Sequence, residues 1–252
     1  MKLQYIIKGN GAPVLFLHGF LENRLMWDAL TDNLKEHYAC ILPDLPGHGN
    51  TGNVAEKHTM PLMAEKVFAM LNELSIDKVA VIGHSMGGYV ALEMLRTQPD
   101  RIDKLCMFFS HPLADSEEKK QQRLEAVQTA TENPKRFVEL GVRGLFAESR
   151  DDEREEEIKL ATEWALQNPN DGIAPALLGM REREDLTDVL KGADIPIHFI
   201  LGEYDTAVDL DKTLNAIPDK PNFRINILPV GHMGHLEAEE ESLELIEDFL
   251  KS

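Results

Sequence analysis

Cysteine is scarce: two occur in 252 residues, Cys40 and Cys106, each inside an apolar run. That excludes a disulfide-built scaffold, and neither has the local spacing of a zinc site, so both read as buried free thiols. Long apolar stretches are also missing, since nothing approaches the ~18 consecutive residues of a membrane span. The opening segment Met1–Gly9 turns polar too quickly for a secretory signal. The expected location is cytoplasmic. Positive charge is outnumbered, with 26 Lys and Arg against 44 Asp and Glu and a formal charge of −18. Such a surface repels phosphate backbones and anionic lipid, so no nucleic acid and no membrane is expected as a partner. The acidic runs Asp151–Glu157 and Glu237–Glu244 read as solvated helix faces.

What is present is an alternation of short apolar runs with longer amphipathic segments, the pattern of a largely parallel sheet covered by helices. Strands are expected at Val14–Leu17, Tyr38–Leu42, Lys78–Ile82, Leu105–Phe109, Ile197–Leu201 and Phe223–Leu228. Helices are expected at Met26–His37, Met60–Leu74, Tyr89–Arg96, Leu210–Ala216 and Glu239–Lys251. Between His111 and the strand at Ile197 the character changes. Residues 112–190 hold no good strand candidate, and helices are expected at Asp115–Thr131, Pro134–Phe146, Glu153–Gln167 and Ile173–Arg181. This block reads as an all-helical insertion within one core formed by residues 1–111 and 191–252.

Gly83-His84-Ser85-Met86-Gly87 fits the G-x-S-x-G pattern, and its context matters more than the pentapeptide. A buried strand precedes it and a helix follows, which is the setting of a nucleophile elbow. The abrupt turn strains the serine backbone and leaves room only for glycine two positions to either side. A serine hydroxyl needs a base, and the base needs an orienting acid. Past the strand at Ile197–Leu201 lies Asp205, with Asp209, Asp211 and Glu203 as competitors. Past Phe223–Leu228 lies Gly231-His232-Met233-Gly234-His235, where Gly231 favours His232 over His235 as the base. Binding of a metal by the two histidines lacks a supporting set of carboxylates or cysteines. The oxyanion donors expected are the backbone N–H groups of Met86 and of Phe20, in the loop after the early strand. His18 there reads as a brace for that loop.

The motifs Leu17-His18-Gly19-Phe20, Pro43–Gly49, Gly83–Gly88, Gly202–Asp205 and Gly231-His232 fall in one order along the chain, and together they resemble the α/β-hydrolase superfamily. The finer likeness is to small cytoplasmic esterases and 3-oxoadipate enol-lactonase-like serine hydrolases. The resemblance implies an α/β-hydrolase fold, a mostly parallel eight-stranded sheet with residues 112–190 as a helical cap. The short N-terminus has room for one strand near Leu3–Lys8, so the first edge strand is expected to be missing. It also implies a carboxylic ester hydrolase acting on a small-molecule ester or lactone through an acyl-enzyme, with Ser85, Asp205 and His232 as the triad. No metal and no organic cofactor is expected, and the assembly is a monomer or homodimer. Serine at position 85 argues against haloalkane dehalogenases and epoxide hydrolases, whose nucleophile is aspartate. His84 stands where carbon–carbon bond hydrolases often carry asparagine. An acyltransferase or perhydrolase, a carbon–carbon bond hydrolase on the same fold, or a non-catalytic small-molecule receptor are the alternatives. Pocket candidates in the helical block are Phe137, Leu140, Val142, Leu145, Phe146, Trp164 and Leu178. Arg123, Arg136, Arg143, Arg181 and Arg183 are candidates for steering a substrate carboxylate.

Overall fold

The computed structural model describes residues 2–147 and 154–252. Among these residues, seven strands form one sheet: β1 (Tyr5–Lys8), β2 (Ala12–Leu17), β3 (Tyr38–Pro43), β4 (Val79–His84), β5 (Ile102–Phe108), β6 (Ile197–Gly202) and β7 (Phe223–Leu228). Their spatial order is β1-β3-β2-β4-β5-β6-β7, with β1 antiparallel to β3 and every other pairing parallel. The single strand before β2 agrees with the sequence expectation of a missing edge strand.

Period-2 alternation sorts the strand side chains onto two faces. Val14, Phe16, Cys40, Leu42, Ala80 and Ile82 point into one core, where Trp27 is fully buried with ring centroids 5.4 Å from Phe16 and 5.7 Å from Phe108. Leu15, Leu17, Ile41 and Val81 point into the other. Burial of each such side chain contributes about 1.5–3 kcal/mol, which is why these runs form strands covered on both faces. Both cysteines are buried and free, as expected.

Helix α1 (Asp28–Leu34) is shorter than its apolar spacing predicts, because Arg24–Trp27 forms a 3-10 turn capped by the Asn23 side chain. Helix α2 (Met60–Glu73) is capped by Thr59, and α3 (Met86–Thr97) follows β4 directly. Among the described residues, five helices lie between β5 and β6: α4 (Glu117–Glu132), α5 (Pro134–Arg143), α6 (Glu155–Ala165), α7 (Asn170–Arg181) and α8 (Thr187–Gly192). The sequence pattern missed α8, and it extended α5 to Phe146. The start of its third cap helix, like much of the acidic run Asp151–Glu157, lies outside the described residues. Helices α9 (Leu210–Ala216), α10 (Gly234–Glu237) and α11 (Glu239–Lys251) complete the chain. Among the described residues, no helix is long and apolar enough to cross a membrane.

The parallel register decides where function gathers. Leu17 pairs with Gly83, His84 with Phe108 and Gly202 with Leu228, so the carboxyl ends of β2, β4, β6 and β7 share one edge. Loops leaving that edge are where ligands meet open α/β sheets.

Candidate active site

Ser85 occupies the turn between β4 and α3 with φ 49° and ψ −113°, a conformation costly for any side-chain-bearing residue. The surroundings hold it there. Its N–H donates to Phe108 O at 3.1 Å, and its carbonyl accepts the Ser110 hydroxyl at 2.8 Å. The flanking glycines are required by close approach. A Cβ at Gly83 would stand 2.6 Å from the Gly87 carbonyl oxygen. One at Gly87 would collide with the Leu17 carbonyl of β2, and one at Gly88 with the Ser110 side chain.

Asp205 follows β6, and its side chain is fully enclosed. Oδ1 accepts the N–H groups of Ala207 and Val208 at 2.8 and 2.9 Å, while Oδ2 receives His232 Nδ1 at 2.7 Å. Burial disfavours the carboxylate, but the His232 contact and the two backbone donors outweigh it and hold the Asp205 pKa below its ordinary value. For His232, burial likewise opposes the charged ring, and Asp205 reverses the balance to leave the pKa raised. With Nδ1 committed to Asp205, the other ring nitrogen is the one left for a reacting group.

Ser85 and His232 line one cavity of about 200 Å³, together with Phe20, Tyr89, Phe137 and Met180. Among the described residues no hydrogen bond joins Ser85 Oγ to His232. Such contacts are often long before substrate arrives. Phe20 lines this space and Met86 follows Ser85 directly, and neither backbone N–H makes a hydrogen bond among the described residues. For Met86 that follows from its place at the first position of α3, where an N–H has no partner within the helix. The competitors go elsewhere. Asp209 caps α9 and pairs with Lys212, Glu203 and Asp211 are exposed, and His235 is buried behind the site. His18 braces its loop, accepting Leu45 N–H at Nε2 (2.9 Å), with Nδ1 2.8 Å from Gly19 O.

Two positions that brace the candidate site carried no sequence signal. Glu22 is buried, and its Oε2 accepts Gly19 N–H at 2.6 Å and His84 Nδ1 at 2.7 Å. Burial opposes its charge, but His84 more than compensates and takes the carboxyl down to about 2. His84 Nε2 in turn donates to the His232 carbonyl at 3.0 Å. The chain therefore ties the Phe20 loop, the Ser85 turn and the His232 loop together. Glu22, His84 and His235 offer ligand-type atoms within 4.8 Å of one another, but Glu22 Oε2 and both His84 nitrogens are engaged in these bonds. Glu22 and His84 form a hydrogen-bonded brace, while His235 packs beside it with no side-chain hydrogen bond among the described residues.

The second position is Glu237, expected to be solvated in an acidic run but in fact buried. Its carboxylate accepts Met233 N–H at 3.0 Å, Gly231 N–H at 3.1 Å and Ala147 N–H at 3.2 Å, fixing the residues on either side of His232. Three buried backbone donors needed an acceptor, and satisfying them outweighs the loss of hydration.

Among the pocket candidates, Phe137 and Leu145 line the Ser85 cavity. Val142 and Phe146 are packed in the core, Leu140 is exposed, and Trp164 stacks on His235. Arg123 lines the cavity, whereas Arg143 pairs with Glu155.

Residues 12–239 match the family model described as the alpha/beta hydrolase fold. A thermophilic esterase from Thermogutta terrifontis is 31% identical, with a TM-score of 0.90 over 99% of this chain and 93% of that one. The pimeloyl-[acyl-carrier protein] methyl ester esterase of Aeromonas hydrophila is 26% identical over 96% of both chains. An uncharacterised Mycobacterium tuberculosis protein is 31% identical over 40% of this chain, a match that spans only 30% of its own length. Sheet order, elbow, loop placement and these likenesses converge: the chain belongs to the α/β-hydrolase family.

Proposed function

We propose that the protein is a serine hydrolase of carboxylic esters or lactones, with Ser85 as nucleophile, His232 as base and Asp205 as its orienting acid. The observation that carries this reading is the 2.7 Å Asp205–His232 pair opening onto the same cavity as the strained Ser85. The esterase names of the two full-length relatives support it.

In the cycle, His232 Nε2 takes the Ser85 proton as Oγ attacks the substrate carbonyl. Asp205 stabilises the imidazolium through Nδ1. The negative charge on the tetrahedral oxygen is held by the N–H groups of Phe20 and Met86. Collapse breaks the bond to the alcohol oxygen, which receives the proton from His232 and leaves Ser85 acylated. Water then adds by the same route, and the acid departs with Ser85 Oγ reprotonated. The described part of residues 112–190 acts as a cap over this space, contributing Phe137, Leu145 and Met180 to the wall against which the acyl group rests.

The test is hydrolysis of p-nitrophenyl acetate, butyrate and octanoate by wild type and Ser85→Ala. Turnover that disappears in the variant is expected. Equal turnover in both proteins would remove Ser85 from the chemistry.

A further inference from the structure

A second cavity of about 320 Å³ adjoins the Ser85 cavity, sharing Tyr89, Lys119, Arg123 and Ala207 with it. Together they reach the size range of small-molecule sites. The charge of the second cavity contrasts with that of the whole molecule. In a chain of formal charge −18, its wall carries Lys119, Arg123, Arg183 and Lys212 against only Asp115 and Asp209. His111 adds no charge, because burial takes its pKa down to about 3.

These charges are not equivalent. Lys212 is paired with Asp209 at 2.9 Å. Arg183 is committed: it donates to Asp115, Leu113 O and Met180 O, and lies 4.2 Å over the Tyr89 ring. Arg123 spends one edge on Asp115, with Nε to Oδ2 at 2.5 Å, so a single buried carboxylate is shared by two guanidiniums. Among the described residues, Nη1 of Arg123 meets only the sulfur of Met180 at 3.6 Å, a weak acceptor that leaves a charged donor largely unused. Lys119 is exposed at the junction of the two cavities, and among the described residues its ammonium has no hydrogen bond or ion pair. It is four residues before Arg123 on α4, a spacing that puts two like charges on one helix face. Asp115 offsets part of this repulsion, and Arg183 adds to it, so a substrate anion lying against Lys119 and Arg123 would relieve the remainder.

We infer that Lys119 and Arg123 receive a carboxylate at the far end of the substrate, so that the preferred ester is a monoester of a dicarboxylic acid. The inference rests on the serine-hydrolase reading, since it supposes a scissile carbonyl at Ser85 with the chain running past Tyr89. Charge-assisted bonds from two donors give orientation as well as affinity.

The experiment compares kcat/KM for mono-p-nitrophenyl esters of glutaric, adipic and suberic acids with p-nitrophenyl pentanoate, hexanoate and octanoate. Wild type is expected to favour the carboxylate ester by roughly tenfold at one or more lengths, less so in 1 M NaCl because salt screens exposed charges. In Lys119→Met, which alters an exposed side chain, the ratio between the two series should collapse toward one. Equal kcat/KM for both series in wild type, or a preference that survives Lys119→Met, overturns the inference while neutral-ester turnover keeps the hydrolase reading standing. If neither series is hydrolysed, calorimetric titration of adipate into both proteins decides. Tighter binding to wild type upholds the anion site, and equal or absent binding overturns it.

Discussion

His84 Nε2 donates to the backbone carbonyl of His232 at 3.0 Å, so the residue before the candidate nucleophile holds the loop that presents the candidate base. Both partners of the His84 ring are acceptors, the second being Glu22 Oε2 at 2.7 Å. Glu22 thereby sets the position of two loops at once, through Gly19 N–H on one side and His84 on the other. Its charge also helps raise the His232 pKa.

Glu22→Gln is therefore expected to lower kcat/KM by about tenfold or more, since small displacements of a catalytic group are costly. It should also move the acid limb of the pH profile to lower pH. A pH–rate series on both proteins checks this, because a merely structural defect would lower the rate and leave the limb in place.

The pH dependence of wild type follows from the same balance. Burial pushes the His232 pKa down and Asp205 more than restores it, leaving it above the ordinary 6.5. A general base acts unprotonated, so kcat/KM should rise with pH through a midpoint above 6.5. Asp205→Asn removes the charge and imposes the wrong tautomer, at a cost of about ten-thousandfold in kcat. Steady-state rates across pH 5–9 measure both.

Glu237→Ala would leave the N–H groups of Gly231, Met233 and Ala147 without their acceptor. Unsatisfied buried donors cost about 1–3 kcal/mol each, so a loss of about 3 kcal/mol or more is expected, with falling activity. Glu237→Gln keeps one carbonyl oxygen but turns an NH₂ toward donors, and should fall between. Urea denaturation midpoints rank the three proteins.

Acid should weaken the fold before it reaches ordinary carboxylate range. Burial takes His48, His111 and His235 down to about 3 and His58 to about 4. In the unfolded chain these rings titrate near 6.5. Below that value the unfolded state binds more protons, so their contribution to stability is complete above pH 6.5 and declines as pH falls toward 4 and 3. The Glu22 carboxyl, at about 2, adds a further loss below 4.5. Denaturant midpoints at pH 7.5, 6.5, 5.5 and 4.5 should decline stepwise.

The centre of the sheet was legible because its inner strands are buried on both faces, and an apolar run such as Val14–Leu17 or Ile197–Leu201 needs no context to be read. The positions of Ser85, Asp205 and His232 followed from strand ends, where period and turn residues are local signals. Glu22 and Glu237 were invisible for the opposite reason. A lone glutamate in a polar segment has the pattern of a solvated residue, and only the donors gathered from Gly19, His84, Gly231, Met233 and Ala147 make its burial favourable. Helices α8 and α10 span six and four residues, too short for a 3.6-residue period to declare itself.

The distribution of the site over β2, β4, β6 and β7 has a consequence for synthesis. A chain emerging from the ribosome carries Phe20 and Ser85 early, but Asp205 and His232 arrive with the last two strands. Those strands add at one margin of a sheet whose centre is β2, β4 and β5. An unfinished chain, or a finished one whose β7 has peeled away, keeps the candidate nucleophile and lacks the candidate base. With Ser85 and His232 in the roles proposed above, turnover is a clock that starts only when the final strand has docked.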